Sequence, residues 1–295
     1  KNTTISLNQR MSVSNALNQI EDGLKDSLNI VHAILCFWKS EIILKTTIRC
    51  ILLNGVIFIG SIILIYNGVV PLLQLVGRKV IPVGQDDSNF PLAIKIVQST
   101  VVLAFETFWV VPLYVMSVVM NNIWYYRIAN IAFELHHGKK VSLDAMTSIK
   151  EVIYRGLFVA IYTLQCVMVG MLIPYVGMFM STVLMCWANA LYSFEYSWSM
   201  QGLRFSEKIA LIEKCWAYFL GFGAPLAFLC SLWSTFVSLG IFAILFPTCI
   251  IQATCSPLAN PKNVDFYFGK DEKLPRLRLF KQSIKFTGIC LACFD

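Results

Sequence analysis

The chain has 295 residues, 57% of them hydrophobic and only 14% charged, with a formal net charge of +7 and a mean hydropathy of +0.66. That balance excludes an ordinary soluble domain, in which about a quarter of residues are charged, and points into a bilayer. It also argues against a disulfide-stapled secreted scaffold. Most of the 10 cysteines, including Cys50, Cys166, Cys186, Cys215, Cys230 and Cys249, sit in or beside apolar runs, where cysteine serves as a small hydrophobe.

Residues 1–45 contain no short apolar core followed by a small-residue cleavage site, so no signal peptide is expected there. Residues 14–49 read as an amphipathic helix. Leu17, Ile20, Leu24, Leu28 and Val31 recur at three- and four-residue steps, while Glu21, Asp22, Lys25 and Asp26 fall elsewhere. Such a helix lies in the headgroup plane or docks on a bundle. The interface is the expected placement, making 1–49 a cytosolic or interfacial segment.

A membrane domain is expected over 50–261. Its first uncharged run, 50–77, is long enough to cross a core of roughly 30 Å at about 1.5 Å per residue. A polar connector (78–95) precedes a second run, 96–126, interrupted by Glu106 alone, and residues 127–155 return to water. The run 156–194 is charge-free, too long for one helix, and split by "PYVG" at Pro174–Gly177. The run 215–255 repeats this pattern, with "SLWSTFVSLG" as its turn, and stays uncharged to Pro261. Each is a helical hairpin, crossing fully or only partly; a re-entrant turn requires that protein or trapped water satisfy its backbone. The expected fold is an all-α integral membrane protein: an N-terminal amphipathic helix, two long transmembrane helices and two charge-free helical hairpins, with a basic cytosolic tail at 262–295. Counting Lys and Arg, 21 of the 24 basic residues fall on the side of the two termini, which places both termini in the cytosol.

No Walker loop, HExxH, GxSxG or zinc-type Cys/His spacing occurs. The expectation is therefore no enzyme, no catalytic residue, no cofactor and no metal. His136 and His137 are adjacent and diverge on a helix, and "CLAC" (290–293) is a lone CxxC. Glu106 is the acidic residue deep in an otherwise uncharged span, either a functional group or a protonated or shallow one facing a neighbour. Glu195, Arg204 and Glu213 lie immediately beside the membrane and are expected to pair with Arg127, Glu134 or Arg155. The basic, partly apolar tail at 270–285 suits anionic lipid headgroups rather than nucleic acid. In "YFLGFGAPLAF" (218–228), Gly221, Gly223 and Pro225 read either as a kink with close helix packing or as a discontinuous helix whose amides hold an anion.

The stretch "FEYSWSMQGLRFSEKIALIEKCWAYFLGFGAPLAF" (194–228) resembles the signature of the etoposide-induced endoplasmic-reticulum membrane proteins. The matching positions include Phe194, Glu195, Tyr196, Trp198, Gly202, Glu213, Trp216, Tyr218, Gly221, Phe222, Gly223 and Pro225. "NGVIF" (54–58), "PLLQ" (71–74), "FWVVPLYVMSVVMNNIWYYRIANIAFE" (108–134) and "ILFP" (244–247) also fit, so the resemblance spans about residues 15–255. Glu106 falls where the family is expected to carry a small residue. The resemblance implies a multi-pass protein of the endoplasmic reticulum required for autophagy and linked to apoptosis and growth suppression. It also implies a distant kinship to the CysZ sulfate permeases, which combine full spans with partly inserted hairpins. Three readings follow: a non-enzymatic autophagy factor acting through lipid, autophagy-protein or ER-membrane-protein contacts, a small-anion transporter, or a lipid-handling protein. A homo-oligomer is compatible with each.

Overall fold

Asparagine and serine offer the backbone hydrogen bonds that compete with a helix. At Asn29 and Ser40 they divide what the periodicity suggests is one amphipathic helix. In the computed structural model, which describes residues 2–80, 90–138, 149–264 and 274–292, α1 covers Asn2–Leu28 and α2 covers Ile30–Lys39. Ser40 is extended, at φ −137° and ψ 105°, and its N–H donates to the Cys36 carbonyl at 3.0 Å. All regular structure among the described residues is helical.

Helix α3 runs over 41–80 and α4 over 90–137, each without a break, so the stretch after Tyr126 stays helical as far as His137. Within them, Glu41–Val76 and Lys95–His137 are long and apolar enough to cross a membrane. Tyr154–Leu172 in α5 (Ile149–Leu172) and α9 (Thr235–Cys255) also qualify. Three stretches, Leu52–Ile59 and Ile65–Val69 in α3 and Glu106–Val110 in α4, are wound as π-helix, and the last two each end two residues before a proline, Pro71 or Pro112. A proline ring removes one amide donor and crowds the carbonyl four residues back, which a wider turn relieves.

The chain forms two compact units. The smaller comprises 45–125 and 233–244, hence most of α3, α4 up to Tyr125 and the start of α9. Leu53, Phe58 and Ile62 bury against Val110 and Leu113, with Phe236 and Val237 packed on them. Inside this apolar unit Asn54, Ser117 and Asn121 are all buried and bond to one another, Asn54 Nδ2 donating to Asn121 Oδ1 at 3.1 Å and to the Cys50 carbonyl at 2.8 Å. Away from water these amides have no other partners to exchange for, so they fix α3 against α4.

The larger unit holds 1–44, 126–232 and 245–295. Its hairpin joins α5 to α6 (Gly177–Met200) through Pro174–Val176, where the sequence places the split; Tyr175 takes φ 63° at the tip. α6 leads to the short α7 (Phe205–Lys214), which meets α8 (Trp216–Ser231) at Cys215 with a bend of 97°. The helix break therefore lies at Cys215. Across Gly221, Gly223 and Pro225, α8 continues as helix. A last helix, α10 (Lys281–Ala292), follows.

The glycines of α8 serve two backbone contacts. A Cβ on Gly221 would lie 2.0 Å from the Ile20 carbonyl oxygen of α1, and one on Gly223 would lie 1.8 Å from the Cys186 carbonyl oxygen of α6. Gly23 of α1 reciprocates, since its Cβ would fall 2.0 Å from the Tyr218 oxygen. At Ile20–Gly23 α1 docks on α8, where bare backbones meet, which only glycine allows. Gly221→Ala or Gly223→Ala is expected to cost about 3 kcal/mol, the upper end of the usual overpacking range, because rigid backbone rather than a movable side chain must give way. Gly156→Ala, which meets open space inside α5, should be neutral or stabilising by about 0.5–1 kcal/mol. Unfolding in detergent of the three variants checks both expectations.

Candidate functional site

The signature segment folds into a knot of aromatic rings and buried charges at the end of α6. Phe194, Trp198, Phe219 and Phe222 are buried together, Phe194 lying 4.8 Å from Phe222 and 5.1 Å from Phe219 between ring centroids. Indole and amide donors tie the backbone turns around them. Trp187 Nε1 donates to the Trp216 carbonyl at 2.9 Å, Trp198 Nε1 to that of Leu258 at 3.1 Å, and Gln201 Nε2 to that of Ala259 at 2.7 Å. Buried aromatics with a polar edge place that edge on a carbonyl because no water is there to take it.

Gly202 closes α6. It sits at φ 76°, its N–H donating to the Ser199 carbonyl at 3.0 Å while the Leu203 N–H reaches the Trp198 carbonyl at 3.1 Å. A left-handed residue at this position ends a helix, and glycine adopts it without steric cost. Arg204 then starts α7: Glu207 accepts from its backbone N–H at 2.9 Å and from its guanidinium at 3.0 Å. This exposed pair serves as a helix start.

The inner face of α7 presents Phe205, Lys208, Ile209, Ile212 and Glu213, all buried. Lys208, 2% exposed, donates from Nζ to Ser199 Oγ at 2.6 Å and lies 3.9 Å from Glu195 Oε1. The same carboxylate oxygen accepts from Arg155 Nη1 of α5 at 2.8 Å. Two cations therefore share one buried carboxylate. Glu213 is met from the tail: Arg276 Nε and Nη2 donate to Oε2 at 3.0 and 2.7 Å, and the Phe280 N–H to Oε1 at 3.3 Å. Trp216 Nε1 donates to the Pro275 carbonyl at 3.2 Å. Tyr218, fully buried, donates its hydroxyl to Asp26 Oδ2 of α1 at 2.6 Å.

Of the residues singled out in the sequence, Glu195 and Arg155 come together. Arg204 pairs with Glu207, and Glu213 with Arg276. Arg127 is exposed on α4 and has no ion-pair partner among the described residues; Glu134 is half-buried on the same helix. Tyr196 is half-buried, with its ring 6.3 Å from that of Phe246. Glu106 lies in the smaller unit and accepts from the Tyr66 hydroxyl at 2.6 Å, each partner on a π-wound turn. Cys293 of the "CLAC" pair and the basic residues Lys139, Lys140, Lys270 and Lys273 lie outside the described residues. Sequence reasoning missed Lys208, Arg276, Asp26 and the Asn54–Ser117–Asn121 set. Lys208 carries a readable signal, since it sits three residues after Phe205 on the apolar face of α7.

A profile described as "Sulfate transporter CysZ/Etoposide-induced protein 2.4" matches residues 30–247. The chain belongs to this family. Among curated members, the Protein EI24 homolog of Arabidopsis thaliana is 29% identical over 262 residues, covering 80% of this chain and 82% of that protein. The Protein EI24 homolog of Dictyostelium discoideum is 26% identical over 265 residues, covering 86% and 81%. Ectopic P granules protein 4 of Caenorhabditis elegans is 27% identical over 186 residues, covering 61% and 56%. No solved structure matches the chain. The family match contains Arg155, Glu195, Lys208 and Glu213 but ends at Pro247, so Arg276 and Phe280, which close over Glu213, lie beyond it.

Two expectations follow from this geometry. Replacing Glu195 by Ala strands Lys208 and Arg155 and should cost about 3–5 kcal/mol, whereas Glu195→Leu combined with Lys208→Met should recover most of the loss. Arg204→Ala, on an exposed pair, should cost under about 1 kcal/mol; denaturant midpoints of the detergent-solubilised chain separate the cases. Burial pushes the Asp26 carboxyl above its ordinary value, and the Tyr218 hydroxyl bond, acting in the opposite sense, is the smaller influence. The folded state thus holds a proton that the unfolded state releases. Stability from this site is highest below the unfolded carboxylate pKa and declines as pH rises through the raised folded value. Asp26→Asn keeps an acceptor for Tyr218 and should flatten that part of the stability–pH profile.

Proposed function

We propose that this chain is a non-enzymatic, multi-pass protein of the endoplasmic-reticulum membrane, required for autophagosome formation or maturation, with both termini in the cytosol. Membership of the etoposide-induced protein 2.4 family supports the reading, as does the excess of basic residues on the side of the termini. The observation that carries it is the state of the Gly221–Pro225 segment. A transporter would use such a break as a half-helix with free amides facing a solute. Here Gly221 and Gly223 are buried in backbone contacts with α1 and α6, and α8 continues through Pro225. The segment builds a rigid scaffold whose exposed surfaces are left for lipid and protein partners.

A second reading, small-anion transport, draws on the sulfate-transporter half of the family description and on the surplus of cations around Glu195. The two separate experimentally. Deleting the gene is expected to leave autophagy substrates uncleared, with rescue by the wild-type chain and not by Gly223→Ala. The purified chain in liposomes is expected to take up labelled sulfate no faster than empty vesicles. Normal clearance after deletion would overturn the first reading, and sulfate uptake would favour the second.

A further inference from the structure

Helix α2 is a short piece set between the breaks at Asn29 and Ser40, and Ala33 and Cys36 are the residues it buries. Both enter a small apolar cluster with Ile43, with Ile128 and Ala132 near the end of α4, and with Ile251 near the end of α9. Cys255, the last residue of α9, packs against this cluster. It is half-buried, whereas Cys36 is 6% exposed, so the pair is reached from the Cys255 side. Both are free thiols.

Cys36 lies outside the membrane-spanning candidates, just ahead of the one that begins at Glu41. A hydrogen bond from the Cys255 thiol holds the Cys36 thiol below its ordinary value; burial opposes this, and the Lys39 charge, one turn on, adds to the lowering. The thiolate is the nucleophile in cysteine chemistry, and redox-sensing pairs set such a lowered thiol beside a resolving cysteine. Thiols that share a hydrogen bond stand a short side-chain rotation away from the S–S length of about 2.0 Å. Cys166 and Cys186, by contrast, are both buried in the α5–α6 hairpin, inside or beside its apolar core.

We infer that Cys36 and Cys255 form an oxidation site, in which Cys36 reacts with hydrogen peroxide and Cys255 resolves the product as a disulfide joining α2 to α9. The Cys36 sulfur attacks one peroxide oxygen and the O–O bond breaks. Cys36 becomes a sulfenic acid, and the released hydroxide takes up the proton that Cys36 gave away. The Cys255 sulfur then attacks the Cys36 sulfur, the S–O bond breaks, and the departing hydroxide leaves with the Cys255 proton as water. In total, two thiols and one peroxide give one disulfide and two waters. Because Cys36 is one of the two residues that α2 buries, the bond turns a light attachment into a covalent one. On the proposed topology the pair belongs to the cytosolic side, a reducing compartment in which such a bond is transient and reports an oxidative pulse. Its formation is read on the purified chain, independently of any role in autophagy.

The test exposes the reduced full chain in detergent to hydrogen peroxide, with or without dimedone, which traps sulfenic acids. The chain is then alkylated, digested and mapped by mass spectrometry without reduction. Wild type should yield a linked peptide containing Cys36 and Cys255 that dithiothreitol removes. In Cys255→Ser the dimedone adduct should accumulate at Cys36, several-fold above wild type and above the adduct at Cys166 or Cys186. Cys36→Ser should give neither the linked peptide nor an adduct at Cys255. The wild-type arm depends on no variant: absence of the linked peptide, under peroxide that oxidises glutathione in the same tube, would overturn the inference. Peptides linking Cys36 to other cysteines in equal yield would overturn it in favour of random cross-linking. An adduct at Cys255 in Cys36→Ser as strong as that at Cys36 in Cys255→Ser would overturn the roles given to the two thiols.

Discussion

Within the larger unit everything is arranged around α8, a helix touched on two sides by bare backbone. Where Gly221 faces Ile20 and Gly223 faces Cys186, the helices approach closer than any side chain permits. In lipid there is little hydrophobic drive for one helix to leave acyl chains for another, so association rests on close packing and on hydrogen bonds that lipid cannot offer. The glycines supply the packing. The hydrogen bonds, Tyr218 to Asp26 on one side and Trp187 to the Trp216 carbonyl on the other, then work over short, fixed distances.

The buried charges depend on that rigidity. Glu195 with Arg155 and Lys208, and Glu213 with Arg276, are held where Glu195 is reached by two cations and Glu213 by one cation and the Phe280 backbone amide. Ion pairs removed from water gain little net stability and lose much when a partner is missing or misplaced. Their use here is to specify one arrangement of α5, α6, α7 and the tail among many that would bury the same aromatic rings.

The spans and the α5–α6 hairpin were legible because uncharged runs bounded by basic residues, and a proline–glycine turn between them, act locally. The turn after α8 falls at 232–234, inside the stretch its composition marks. The breaks at Asn29 and Ser40 were hidden because periodicity carries across them. The place of α1 was hidden because Gly23 acquires its meaning only when Tyr218, far along the chain, is laid on top of it. Glu195 and Arg155 could be nominated as neighbours since both flank one hairpin. Lys208 has the sequence context of any charge beside the membrane, and the relation of Arg276 to Glu213 is purely tertiary. Asn54, Ser117 and Asn121 illustrate the same limit in the smaller unit: each is unremarkable alone, and only the crossing of α3 and α4 joins them.

The π-wound turns ahead of Pro71 and Pro112 have a bearing on how two such long helices keep their faces. A wide turn holds one more residue than an ordinary one, so it works as an expansion joint. The surplus is absorbed locally and the flanking helix resumes in phase. Leu53, Asn54 and Phe58, themselves on the π-wound stretch Leu52–Ile59, face the smaller unit's core, and downstream of Pro112, Leu113, Ser117 and Asn121 face it too. The joints also place Tyr66 and Glu106 within bonding distance. Each long helix can therefore carry a proline and a change of pitch while its helical winding continues without a break.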